Sequence, residues 1–489
     1  MTEKAVCTTR RAFLGLSAGF SALLLTGCLN LAPSYEQPAA PEETASKWAV
    51  SPAAAGVKEG ELVVWEKFFL DERLRKVIRT ALDNNRDLRQ SMLEVERLRQ
   101  LYRVSRAELF PSVSAAGSGT HQRSSVDTIT PGTPRVGHLY AANLAMSSYE
   151  IDFFGRIRNL NEQAMQAYLA QEDAQRSAQN TLIAEVATLW LSVGADRAAL
   201  DLANTTLESQ TASYRLVEQS YGAGAANKLE LAQAETTVSS AKVAVQTAEN
   251  SLAQDMNALR LLVGAEVPQE LLPKGIELGT TVPASLPAGL PSEVLLRRPD
   301  IAAAERNLRS ANASIGVARA AFFPRVALTG SIGTASADMS DLFSGGRGTW
   351  SFGPSISVPI FQGGANVANL EAAKVYQKEM VAAYEKSIQS AFREVNDALA
   401  TESTIKKQLE AQDELVKSTE TAYDLAQLRY KHGVDSFLSV LDAQRSMVSA
   451  QTAQIQTRLA RAVSLVTLYK VLGGGQELET AEAEPKNAS

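Results

Sequence analysis

Apolar residues recur at helical spacing over two very long stretches of the chain. From Arg156 to Tyr221 there is no proline, and Val186, Val193, Leu200, Leu207, Tyr214 and Tyr221 stand seven apart. That is the repeat of a helix packed along a coiled-coil seam. Leu409, Val416, Tyr423 and Tyr430 keep the same spacing further on. At ~1.5 Å per residue, a helix of about 65 residues is a rod about 100 Å long, which no compact domain requires. Each rod stops at a glycine-bearing break, Gly222-Ala223-Gly224 in one case and His432-Gly433 in the other. Helical patterning then resumes through Leu229–Leu262 and Phe437–Leu472. Glycine supplies the left-handed residue with which a helix ends and turns back, so two antiparallel helix hairpins are predicted.

Between the helices the period changes to two. Trp350, Phe352, Ile356, Val358 and Ile360 alternate with Ser351, Gly353, Ser355, Ser357 and Pro359, and Val326, Leu328 and Ile332 with Ala327, Thr329 and Ser331. Tyr140, Leu144 and Met146 follow the same rule, and Ser112–Gln122 is a weaker, glycine-rich version. Segments of about ten residues suit tilted strands that cross a bilayer with one apolar and one polar face. A small soluble sheet with one buried face would read the same way. Four strands cannot close a membrane barrel, since the smallest single-chain ones have about eight, and open edges in hydrocarbon leave backbone groups unpaired. Three chains of four strands would give a shared twelve-stranded barrel, with Trp350, Phe352, Ile356, Val358 and Ile360 facing lipid.

The chain is also written twice. Arg106-Ala107-Glu108-Leu109-Phe110-Pro111 recurs as Arg319-Ala320-Ala321-Phe322-Phe323-Pro324, and Tyr214, Tyr221, Gly224 and Leu229 recur as Tyr423, Tyr430, Gly433 and Leu438, both at an offset of about 210 residues. The expected layout is therefore a first repeat over 73–267 and a second over 299–473, joined by a linker at 268–298. The first holds strands at 112–122 and 138–150, a long helix at 156–221 and a return helix at 227–263. The second holds strands at 325–334 and 350–360, a long helix at 364–431 and a return helix at 436–472, before a flexible tail at 474–489. The fold class is mainly α with membrane β, internally duplicated.

Composition narrows the function. Of 489 residues 45% are hydrophobic but only 6% aromatic, which favours long alanine-packed helices. A net charge of −6 offers no basic surplus for nucleic acid. His121, His138 and His432 lie far apart in sequence, show no ligand spacing, and no metal or cofactor is expected. For an enzyme, only Glu150 and Asp152 stand near each other, without a nucleophile, a metal set or a phosphate-binding loop. They read better as a solvated acidic strand end, so catalysis is not expected.

The N-terminus is an address. Lys4, Arg10 and Arg11 precede the apolar run Ala12–Leu25, too short to span a bilayer and right for a secretory h-region. Leu25-Thr26-Gly27-Cys28 resembles a lipobox, implying a signal peptide over 1–27 and lipidation of Cys28. Leu29 stands where an Asp would resemble an inner-membrane retention signal, which favours the outer membrane. Thr9–Leu14 resembles a twin-arginine motif and also fits an ordinary basic leader; both export routes stay open. Within a lipid-anchored segment over 28–72, Ala32 to Pro52 reads as a patternless tether.

Together these features resemble the outer membrane factor (TolC-like) family, in its lipidated, OprM-like branch that serves resistance-nodulation-division pumps. The resemblance covers nearly all of the mature chain. It rests on Trp65 with Phe68-Phe69, Asn84-Asn85-Arg86-Asp87-Leu88, Ile151-Asp152-Phe153-Phe154-Gly155-Arg156, Leu296-Arg297-Arg298-Pro299-Asp300 and Pro359-Ile360-Phe361-Gln362-Gly363-Gly364. It implies a homotrimer in the outer membrane with a long periplasmic helical barrel, acting as the exit duct of a tripartite efflux pump. Its partners would be a periplasmic adaptor, an inner-membrane transporter and outer-membrane lipid. The tip residues Tyr221, Gly222, Gly224, Tyr430 and Gly433 resemble adaptor-docking motifs. Leu438, Asp442 and Arg445, at spacings of four and three on one helix face, are expected to form a periplasmic gate, Leu438 and Asp442 resembling the family's constriction; an exposed ion pair beside a packing leucine is the plainer alternative. A duct for protein export and a periplasm-spanning structural lipoprotein are the rival functions.

Overall fold

The computed structural model describes residues 29–39, 41, 64–130, 132, 134–276, 279, 281–283 and 298–474. Cys28 and the signal peptide lie outside them, as do residues 289–297 of the linker and the tail from 475. The elements, in order, are α1 (Trp65–Phe68), α2 (Glu72–Asn84), α3 (Arg86–Ala107), β1 (Val113–Arg123), β2 (Val136–Ile151), α4 (Arg156–Gly222) and α5 (Lys228–Val263). They continue with α6 (Pro299–Ala320), β3 (Arg325–Ser336), β4 (Gly348–Ser357), α7 (Ala365–Lys431) and α8 (Phe437–Val471). Both α4 and α7 are 67 residues long. Among the described residues no helix is long and apolar enough to cross a membrane. The chain divides into two compact units, Met1–Ala39 with Val95–Gln171 and Ala304–Tyr384, and Ala40–Glu94 with Glu172–Ala303 and Glu385–Ser489.

The first unit holds one antiparallel sheet in the order β1-β2-β3-β4, so β1 and β4 are its edges. Strand β2 is longer than its apolar alternation predicts because it contains a bulge: its register on β3 shifts between Met146 and Tyr149, and Ser148 takes a φ of 66°. One extra residue reverses which side chains face which way. Tyr140, Leu144 and Met146 therefore share a face with Tyr149 and Ile151, and Glu150 turns to the other. Strand β4 ends at Ser357, so Val358 and Ile360, expected as strand residues, lie beyond it. Pro359 has no N–H to give a ladder, which stops the pairing there.

Residues 29–37 correct a second expectation. Rather than a loose tether, they are laid down on helices of the same unit. Asn159 Nδ2 donates to Asn30 Oδ1 at 2.8 Å, Arg319 Nη1 to the Leu31 carbonyl at 3.0 Å and Asn312 Nδ2 to the Pro33 carbonyl at 2.9 Å. The Arg309 guanidinium lies 4.7 Å over the Tyr35 ring, and Gln37 Nε2 donates to the Tyr384 hydroxyl at 3.0 Å.

In the second unit the main core gathers Phe68, Phe69, Leu74, Ile78, Val186, Val193, Trp190, Leu259 and Tyr469. Phe68 stacks on Tyr469 with centroids 4.2 Å apart, and Trp190 Nε1 donates to the Leu271 carbonyl at 2.9 Å. The α7/α8 hairpin buries Leu409, Val416 and Tyr423. Glutamines bond it together: Gln412 Nε2 to the Ala450 carbonyl at 2.9 Å, Gln451 Nε2 to Glu420 at 2.9 Å and Gln454 Nε2 to Asp413 at 2.6 Å. Gly474, expected to open the tail, is held by a bond from its N–H to the Tyr469 carbonyl at 3.1 Å.

Candidate functional site

The sheet sorts its side chains by chemistry. Register pairs Ile332 with Trp350, Gly330 with Phe352 and Val326 with Ile356, and across β2 it pairs Leu144 with Ile332. One face thus carries an apolar band of Leu144, Ile332, Trp350, Phe352 and Ile356. The opposite face carries Ser118, Thr120, Asn143, Thr329, Ser331 and Ser351, with Ser331 and Ser351 hydroxyls 2.8 Å apart. Trp350, Phe352 and Ile356 are 80%, 63% and 67% exposed, so none of the described residues covers this band. An uncovered band this apolar, on a sheet with two open edges, calls for lipid on one face and further strands at each side.

Where β2 hands over to α4, the two carboxylates considered for catalysis are both engaged. Buried Glu150 accepts from Arg156 Nε and Nη2, each at 2.8 Å, and also pairs with Arg325. Asp152 accepts from the backbone N–H groups of Arg156 at 2.7 Å and Arg158 at 2.9 Å, capping the first turn of α4. Phe154 stacks on Phe323 with centroids 4.7 Å apart, bringing together the Phe-Phe pairs of the two repeats.

In the second unit the two helical tips share one turn geometry. At the first, Ala225 N–H donates to the Ser220 carbonyl at 2.8 Å; at the second, Val434 N–H donates to the Arg429 carbonyl at 2.9 Å. Gly224 and Gly433 take φ of 74° and 71°, the left-handed residue such a turn requires. Gly222 does not: it is the last residue of α4. Tyr221 is exposed, whereas Tyr430 packs on Phe437 at 5.4 Å, and its burial, with the nearby Glu230 charge, raises its pKa. One apolar cluster of Val217, Ala234, Tyr423, Phe437, Val440 and Leu441 joins α4, α5, α7 and α8 here. The second tip alone has a clasp. Arg429 Nε and Nη2 donate to Asp435 at 2.5 and 3.1 Å, and this bonding lowers the Asp435 pKa and raises that of Arg429. The first tip has Ser220 and Ala226 at the matching positions.

Along α8, Phe437, Val440, Leu441 and Gln444 are buried, while Leu438, Asp442 and Arg445 are exposed together on the other side. Leu438 is 56% exposed, so it is not a packing residue within this chain. No ion pair joins Asp442 to Arg445 among those of the described residues.

The family profile described as outer membrane efflux protein matches residues 77–265 and 290–474, one stretch in each repeat. The chain belongs to that family. As an outer membrane efflux protein it is 44% identical over 472 residues to the toluene efflux pump outer membrane protein TtgC of Pseudomonas putida, covering 96% of this chain and 97% of TtgC. Outer membrane protein OprJ of Pseudomonas aeruginosa is 42% identical over 469 residues, covering 95% of this chain and 97% of OprJ. Among solved structures, the open state of the Neisseria gonorrhoeae MtrE outer membrane channel superposes with a TM-score of 0.82 at 38% identity, covering 91% of this chain and 98% of MtrE. The fold of the efflux protein is thus that of the TolC-like channels, mainly helical and internally duplicated.

Sequence reasoning overlooked the role of Arg298. This buried guanidinium donates to Asp300 at 3.0 and 2.8 Å, to Glu394 at 2.8 Å and to the Val471 carbonyl at the end of α8 at 2.8 Å. Burial alone would lower its pKa, but the bonds to Asp300 and Glu394 outweigh burial and raise it. The Arg-Pro-Asp motif signalled its importance, but not that it fastens a helix end.

Proposed function

We propose that three copies of the chain form the outer-membrane exit duct of a tripartite efflux pump, passing toxic small molecules outward without catalysis. The observation that carries this reading is the four-stranded sheet with its uncovered apolar band, polar opposite face and two open edges. Three such sheets, edge to edge, close a twelve-stranded barrel that satisfies every strand and lines the lumen with Ser, Thr and Asn. The relatives named for toluene and antibiotic efflux favour drugs and solvents as cargo over exported proteins. A pump needs an adaptor and an inner-membrane transporter, and the tips at Tyr221, Gly222, Gly224, Tyr430 and Gly433 are the surfaces assigned to the adaptor. Leu438, Asp442 and Arg445 are assigned to the gate, because an exposed leucine beside charges needs an occupant that a trimer axis supplies. Cys28 is assigned as the lipid anchor. Docking of residues 29–37 puts Asn30 beside Gly155, at the junction of β2 and α4.

Light scattering of detergent-purified protein should give about three times the chain mass, and expression in an efflux-duct deletion strain should restore toluene tolerance. A folded, membrane-inserted monomer would remove the shared barrel. A trimer that restores no tolerance would remove the efflux assignment.

A further inference from the structure

Two of the three histidines meet across the sheet. His121 on β1 and His138 on β2 are direct register partners, with Nδ1 atoms 2.6 Å apart and ring centroids at 4.7 Å. Antiparallel pairing thus brings together residues whose sequence separation had argued against a ligand set. Both are exposed, at the end of the hairpin where β1 and β2 leave the sheet. A third group orients them. The Tyr140 hydroxyl stands 3.4 Å from His121 Nε2, its ring edge-on to the imidazole at 84°. Tyr140 lies opposite Gly119, where a Cβ would approach its Cδ1 to 3.2 Å. The glycine leaves the space across which the phenol reaches the histidine.

One tautomer leaves a ring nitrogen free for a ligand. In the tautomer with His121 Nε2–H donating to the Tyr140 oxygen, His121 Nδ1 keeps its lone pair and aims it at His138. A lone pair facing a second ring nitrogen can take a proton from it or share a cation with it. We propose that His121 and His138 form a cross-strand site for a divalent transition metal, Cu(II) ahead of Zn(II), with Tyr140 as the outer partner that sets the tautomer. Neutral imidazoles suit these ions, and copper binds nitrogen ligands most tightly among the first-row divalents. Metal–nitrogen bonds of about 2.0–2.1 Å require only that the rings swing slightly apart, with water completing the shell. Arg123, two positions along on the same face, opposes any cation and disfavours ions that bind nitrogen weakly. The site lies within one hairpin and stands independently of the trimer and of the efflux reading.

The test is Cu(II) titration of the purified full-length protein, carrying no polyhistidine tag, followed by calorimetry and electron paramagnetic resonance. Wild type should bind one ion per chain, with a spectrum reporting two imidazole nitrogens. His121→Ala and His138→Ala should each lose that ion, and His432→Ala should keep it. Tyr140→Phe should weaken binding about tenfold, as loss of an outer partner does. His138→Gln replaces the alanine variant if its thermal unfolding departs from wild type. Absence of the ion from wild type, its persistence in both histidine variants, or its loss from His432→Ala would each overturn the site. Unchanged affinity in Tyr140→Phe would overturn the tyrosine's part in it.

Discussion

Asp196 on α4 has a carboxyl pushed up to about 6, first by burial and then by the negative charge of Asp255. In the unfolded chain it returns to about 3.8, so between these values the folded state holds the extra proton. Stability therefore rises as pH falls from above 6 towards 4, and the ionised side chain is a burden at neutral pH. Asp196→Asn should raise the melting temperature at pH 7.5 and bring a much smaller gain at pH 4.5; an equal gain at both would remove the carboxyl from the argument. The proposed gate is tested residue by residue through single-channel conductance in planar bilayers. Leu438→Ala should raise conductance, Asp442→Ala should weaken cation selectivity, and Arg445→Ala should shift open time. No change in any of the three would leave the duct without that gate. At this scale the sequence was least legible. The roles of Glu150, Arg298 and the His121–His138 pair depend on residues 175, 173 and 17 positions away, separations that only register or helix packing closes.

The helices were the most legible elements, because apolar periodicity and a glycine stop signal are local. The strands were readable as alternation, yet two details escaped. A bulge at Ser148 depends on the partner strand, and Pro359 ended β4 although the apolar alternation ran on through Ile360. Glycines that look alike in sequence also differ. Gly433→Ala places a side chain at φ 71° and should destabilise the second tip by about 1–2 kcal/mol. Gly222→Ala sits at a helical residue with no atom near its new Cβ and should be neutral or stabilising by up to about 1 kcal/mol. Urea unfolding of both variants measures this, and matching signs would contradict the assignment of the left-handed turn.

For the molecule as a whole, duplication was the decisive sequence signal, since it turned one run of elements into two equivalent ones. What it hid is where the copies have diverged. Ser220 and Ala226 in one tip stand where Arg429 and Asp435 stand in the other, and only the second pair closes an ion-paired clasp. In the proposed trimer six tips therefore alternate between two chemical kinds, and a one-sixth turn does not carry the ring onto itself. A partner reading these tips meets three equal seats rather than six. Its rotational register is fixed by charge before any shape is compared, and high salt, which screens exposed pairs, should blur that choice.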